Sequence, residues 1–506
     1  MAHKYRAPAA NGAVLAEPNF DAIPVLVEAN RKLLDRADVI VGGLPLHELR
    51  ALARREVLEL ASCWPSPLAG EGGSGSRSGG LRFHPSPVSR SLATLSRKER
   101  GQKQDGPLLL AGHQPELSHP GVWVKNFAIN GLAKKLCGIP LHLVVDNDTL
   151  KSTSLLFPTF RDGDAASVRL ESLAFDTFAG EVPYHDRAVI DAEMFRTFAD
   201  RAAPLTANWG YEPLLTKCWA SARNVGEAFT TMRQQREQEW GCDNLELPVS
   251  LLIWCEAYVR FVGHLLLDLP RFARVYNGAI RAYREANGTR SANHPAPELD
   301  EGEAPFWVCT GAGKRQRATA SSDVSKLRPR ALTLTLFARV CLGDFFIHGI
   351  GGGKYDEVTD AIIRDYFGIE PPAYQVLSAT LHLPLPAFPS TANDLTRADR
   401  SVRDLQWNPH TLPDAGAALV SEHAALTANE PPTGDHAARR KWFRRLRSVK
   451  EQLRAGIADL VPGAEEELRR VRSEVEANAI LQRRDYPWVL YPEETLRPFL
   501  QQFLTL

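Results

Sequence analysis

The chain has 506 residues, of which 44% are hydrophobic and 24% charged. That much apolar surface can pack a core, which excludes disorder as the overall state. Sixty basic side chains balance sixty acidic ones, which weighs against a general polyanion binder but leaves room for a local basic patch.

No run reaches the roughly 18 apolar residues of a membrane span, and the N-terminus lacks the apolar centre of a secretory signal. The seven cysteines are scattered, with no CxxC pair, which argues against a disulfide framework or a cysteine-rich zinc site. A cytoplasmic protein of about three domains is the expectation.

In chain order, residues 1–20 read as a loose tail and 1–61 as an N-terminal helical segment of the core. Its clearest stripe is Leu49, Leu52, Val57 and Leu60. Residues 62–106 are rich in Ser, Gly, Pro and Arg, carry a net charge of +4 and resemble a translated mobile DNA repeat. They read as a disordered insertion, with a basic nucleic-acid arm as the sharper alternative.

Order resumes at Pro107. A short apolar run (107–112), a polar loop, a helix (122–138) and a second apolar run (139–148) have the order and size of a βαβ unit. Residues 107–180 are therefore expected to form the first half of a parallel-sheet core. Residues 181–300 read as a helical connection with a short strand candidate at 245–253.

A hairpin (304–310 and 315–320) opens the second half, 301–414. There Asp344–Ile350 is a strand, 351–354 a turn, 355–368 a helix, a strand restarts near Ala373, and 384–414 is a Pro-rich loop. Trp442, Leu446, Val449, Leu453, Ile457 and Leu460 form a coiled-coil-like seam. After Pro462 and Gly463 a second stripe begins, so 415–506 is expected to contain a helical hairpin and to offer a homodimer surface. Residues 439–454 carry +7, read as a solvated face or as a nucleic-acid or partner surface.

Ligands of parallel sheets bind outside the carboxyl ends of strands, which directs attention to two strand ends. After the first strand come His113, Gln114, Glu116 and His119, placed before a helix whose N–H groups favour an anion. The histidines could donate to an oxyanion or act as acid and base, or merely cap and pack. After the second strand, Asp146 and Asp148 lie two apart and could together hold an ammonium group or Mg²⁺; a helix cap is the alternative for Asp148.

Gly349, Gly351, Gly352 and Gly353, beside His348, look like a phosphate turn but fail the P-loop pattern. Arg328 and Arg330 could clamp a carboxylate or phosphate. His142 and His264 lie in apolar segments and read as packed core residues.

Several of these landmarks resemble the bacillithiol biosynthesis cysteine-adding enzyme family. The segment LLLAGHQPELSHPGVWVKNFAI is similar to that family's TGQQPGLFGGPLYTLYKAI type, IPLHLVVDND to its VPVFWLASEDHD strand and acidic turn, and KLRPRALTLTLFARVCLGDFFIHGIGGGKYDEVTDAI to its RP-containing helix, strand and Gly-Gly turn. The matched order spans about 107–390 and the helical tail. Gln114 falls on a shared Gln, Asp148 on the acidic turn, and Gly351 and Gly352 on the Gly pair. His113 stands where the family has Gln, and the DNDT turn lacks its His.

The resemblance implies an α/β fold with a Rossmann-like, nucleotidyltransferase-like core, helical insertions and a C-terminal coiled-coil hairpin. It also implies that the KLRPRALTLTLF segment is helical, whereas the LTLTL alternation by itself suggests a strand. The implied reaction joins a cysteine carboxyl to an amino-sugar amine in low-molecular-weight thiol biosynthesis. Amide formation from free acids needs activation, so ATP is expected, with Mg²⁺ as a candidate companion.

On this reading His113, Gln114, His119 and Asp148 are catalytic. Asp146, Arg328, Arg330 and His348 bind substrate, and Gly349, Gly351, Gly352 and Gly353 hold the cofactor. The alternative is a non-catalytic nucleotide- or small-molecule-binding protein that assembles through its coiled coil.

Overall fold

The computed structural model describes residues 5–64, 106–311, 313–412 and 416–506. The reading of 62–106 as an insertion falls almost entirely outside them. A central six-stranded sheet organises the rest. Its strands, in chain order, are β1 (Val14–Glu17), β2 (Leu108–His113), β3 (Ile139–Val144), β4 (Leu245–Pro248), β5 (Phe345–His348) and β6 (Gln375–Ala379).

Across the sheet they run β1-β6-β5-β2-β3-β4. The five from β2 onward are mutually parallel, and β1 lies antiparallel on the β6 edge, with Val14 opposite Ala379. The chain starts this parallel set in the middle, builds outward through β3 and β4, then returns to build the other side through β5 and β6. The direction reverses between β2 and β5, the point at which ligands of such sheets commonly bind.

The parallel strands are apolar almost throughout because both faces are covered. Leu109, Ala111, Phe345, Ile347, Leu377 and Ala379 share one buried cluster with Trp123 and Phe127 of the helix Pro120–Leu136. Leu108, Leu110, Leu141, Leu143 and Phe346 share the other with the helices Leu46–Cys63 and Ile350–Ile362. The first of these buries Leu46, Leu49, Ala53, Val57 and Ala61, one face at helical spacing. His142 is a core residue, as expected: its Nδ1 lies 3.3 Å from Glu246, which Arg233 also grips.

Four expectations change. The N-terminal tail is not loose throughout, because Val14–Glu17 completes the sheet edge. The Pro-rich stretch 384–414 contains a helix, Ala392–Trp407, started by a reciprocal cap between Thr391 and Asp394.

Residues 331–342 are helical, as the resemblance implied, and not a strand. Leu332, Leu334 and Leu336 are buried along with Phe337, Ala338 and Val340, so the alternation reflects no exposed face.

The C-terminal seam divides between two neighbours. His436–Gly456 packs on Ala417–Ala428, while Leu460–Leu481 packs on Ala392–Trp407 and on the strand Asp164–Ala174. Val449 and Leu453 are buried, but Leu460 is 45% exposed. The last turns, 486–506, return to the core against Pro120–Leu136. There Gly131 permits contact, since a Cβ at that position would lie 2.0 Å from the Phe503 carbonyl oxygen.

Among the described residues no helix is long and apolar enough to cross a membrane, and no group of three or more His, Cys, Asp or Glu side chains is placed to hold a metal ion. All seven cysteines are free thiols.

Candidate functional site

The β2 and β3 strands run side by side in register, Ala111 beside His142 and His113 beside Val144. The loops that leave them are therefore neighbours at the carboxyl edge. Between them lies a cleft of about 310 Å³. Gln114, Glu116, Asp148, Lys151 and Tyr184 supply polar walls, and Phe175 and Phe229 an apolar part.

Gln114 and Asp148 meet directly: Gln114 Nε2 donates to Asp148 Oδ2 at 2.8 Å. Asp148 Oδ1 accepts from the Thr149 N–H at 2.8 Å and from Arg315 at 3.1 Å. Arg315 also donates to the Asn147 carbonyl, and Asn147 donates to the Pro329 carbonyl at 2.8 Å. The acidic turn is thus pinned by a small three-stranded sheet, Glu303–Cys309, Arg315–Thr319 and Leu327–Pro329. Trp307 of that sheet carries the Arg315 guanidinium 4.8 Å from its ring centre, a contact that restrains the arginine.

Glu116 and Tyr184 line the cleft together, and Glu116 Oε1 lies 3.6 Å from His113 Nδ1. Burial and the nearby Asp148 charge raise the Glu116 carboxyl above its ordinary range. His113 is held well below the usual imidazole range by burial and by the charge of Lys125. Lys125 is buried beneath the loop, donates to the Gly112 carbonyl at 2.9 Å and is pushed down to about 8 by burial.

The other expected site residues go elsewhere. His119 caps the helix Pro120–Leu136, its Nδ1 accepting from the Gly121 N–H at 3.1 Å. Burial and Arg484 push it down to about 4. It serves the helix and not the cleft.

Asp146 is buried away from the cleft. Its carboxylate takes the Ser250 N–H at 2.8 Å and the Ser250 hydroxyl, so Asp146 and Asp148 do not form a pair for Mg²⁺ or an ammonium group. Arg330 is tied to Glu303 at 2.5 Å and packs on Trp307. Arg328 donates to the carbonyls of Ser325 and Leu327. The two arginines make no clamp.

His348 lies across the sheet from His113, on the face covered by Ile350–Ile362. Its Nε2 is 2.5 Å from Asp356, which Arg339 also reaches at 2.9 Å. Burial alone would raise Asp356, but His348 and Arg339 hold it below its ordinary value.

The glycine run is not a loop. The helix begins at Ile350, Gly349 stands before it in extended backbone, and no side chain caps it. None of the four glycines has positive φ. Gly352 and Gly353 make room for neighbours, since a Cβ would lie 2.7 Å from His348 Nδ1 and 2.4 Å from Val376 respectively. At Gly349 and Gly351 a Cβ would meet nothing within 4 Å.

The structure thus gathers Gln114 and Asp148, with His113 reaching the cleft through Glu116. Sequence reading missed Arg315, Tyr184, Lys151 and Lys125. The turn 311–314 flanked by apolar runs was a signal for the hairpin that bears Arg315, but no spacing connects these residues to Asp148. Set beside known proteins, the chain matches no family model and no curated protein.

Proposed function

We propose that the chain is a carbon–nitrogen ligase of the cysteine-adding type, built on a Rossmann-like core. It would join an amino-acid carboxyl to the amine of a small polar acceptor. One observation supports this reading most: Gln114 and Asp148, the two polar residues that the resemblance singles out, lie 34 positions apart and are hydrogen-bonded in one cleft. The position of the cleft adds support, since ligands of such sheets bind outside the carboxyl ends of the strands, where the loops after β2 and β3 lie.

ATP would supply the activation that a free carboxyl needs. The first turn of Ile350–Ile362 suits a phosphate: it sits at the reversal point, lacks a side-chain cap and has open space at Gly349 and Gly351. Asp148 would orient the acceptor, held by Gln114 and Arg315 so that little reorganisation accompanies binding. Lys151, on the cleft wall, would attract a carboxylate.

The test is ATP-dependent formation of an amide product, followed by mass spectrometry, with cysteine first among the amino acids offered. Asp148→Ala should lower turnover by roughly 100-fold, the usual cost of one preorganised polar group. Absence of nucleotide binding at millimolar ATP would leave a small-molecule-binding protein instead.

A further inference from the structure

The cleft contains a second carboxylate besides Asp148. Glu116 leaves the β2 loop with its side chain 46% exposed, and it lines the cleft. The groups that face it come from several elements. Tyr184 shares the cleft wall with it, His113 Nδ1 lies 3.6 Å away, and Asp148, Lys151 and Lys125 act on it through their charges.

Amide formation sets a requirement that this cluster meets. A primary amine enters as an ammonium ion, which has no lone pair, so a base must take a proton before the nitrogen can attack an acyl carbon. The histidines of the loop are poorly suited to that task. His119 spends its Nδ1 lone pair on the Gly121 N–H, and burial holds His113 far below the usual imidazole range. Asp148 is tied to Arg315 and Thr149 through Oδ1 and to Gln114 through Oδ2, which makes it a fixed anchor whose Oδ2 keeps a lone pair for an ammonium.

We propose that Glu116 accepts the proton of a primary amine bound in this cleft, with Asp148 holding the ammonium beside it. One N–H bond breaks and one O–H bond forms. The ammonium becomes a neutral amine with its lone pair free, and the Glu116 carboxylate becomes a carboxylic acid. Burial and the Asp148 charge raise the basicity of Glu116, which suits a base working nearer neutral pH than an ordinary glutamate. The inference rests on the amide-forming reading for its purpose, but amine binding can be measured without it.

The experiment uses the full chain without ATP and two small probes, ethanolamine and ethylene glycol, which differ only in the amine. Saturation-transfer NMR should show ethanolamine bound and the glycol not. The ethanolamine signal should fall as pH drops from about 8 to about 5, as Glu116 loses its charge. Glu116→Gln should bind weakly at every pH, as acidified wild type does, and Asp148→Asn should weaken binding about tenfold.

Equal binding of the two probes, or a pH dependence that survives Glu116→Gln, would overturn the proposal. In a ligation assay Glu116→Gln should lower kcat about 100-fold or more and also raise KM for the amine. Undiminished ligation in that variant would remove Glu116 and keep the ligase. Charge-dependent amine binding with no ATP-dependent product would remove the ligase and keep Glu116.

Discussion

An alanine at position 352 would press its Cβ against His348 Nδ1 at 2.7 Å. The ring has little freedom to move: it stacks on Phe346 at 4.2 Å, meets Tyr374 edge-on at 5.3 Å and is tied to Asp356. Gly352→Ala should therefore cost about 1–3 kcal/mol. One position earlier the added methyl meets nothing, so Gly351→Ala should gain about 0.4–1 kcal/mol by restricting the unfolded chain. Urea midpoints that move in opposite directions would bear this out, and a neutral Gly352→Ala would show that the ring is not fixed.

At this scale the sequence revealed residues that end adjacent strands, since the parallel register carries Gln114 and Asp148 to one edge. It could not distinguish Asp148 from Asp146. Both follow the same strand, and only the position of Ser250, more than 100 residues later, consumes one of them.

Element starts and stops carry much of the legible fold, and His119 shows how a cap can look like a catalytic group. Its imidazole must stay neutral to accept from Gly121, and burial with Arg484 lowers it from 6.5 to about 4. Between those values the unfolded chain binds the proton and the folded one does not, so stability from this group is present above about pH 6.5 and is lost as pH falls toward 4. Asn is an equally good cap without a titrating ring. His119→Asn should therefore melt less steeply with acidification than wild type. The difference in Tm between the two proteins should change between about pH 6.5 and 4 and be constant above. An unchanged difference throughout would exclude His119 as a source of the slope.

Periodicity was informative where one face is wet, as in Leu46–Cys63, and silent where nearly every side chain is buried, as in 336–342. The helix Ala392–Trp407 was legible: Leu395, Ala398, Val402 and Leu405 are spaced by 3, 4 and 3, and its Thr391–Asp394 cap is local, but the prolines upstream drew the reading toward a loop.

For the whole molecule, the alternation of strands and helices conveyed a parallel sheet, but not which distant pieces complete it. The β1 edge comes from four residues of the N-terminal tail, without alternation, and the last 20 residues read as part of a separate helical region. In the fold they are core. Trp488, Val489, Leu490, Tyr491, Leu496, Leu500 and Phe503 are all buried, and Trp488 packs on Trp123 with ring centres 4.7 Å apart.

At about 1.5–3 kcal/mol for each large apolar side chain, this segment contributes on the order of 10 kcal/mol of gross burial energy, before the entropy of ordering it. That is comparable with the whole stability of a typical domain, about 5–15 kcal/mol. A chain ending at Asp485 should therefore fail to fold cooperatively. Its near-ultraviolet dichroism should be lost, and limited proteolysis should cut within 106–300 as well as near the new end. If the tail were a detachable assembly hairpin, the shortened chain would keep the cooperative melt of the full protein and lose only its self-association. Calorimetry and sedimentation on the two chains separate these outcomes.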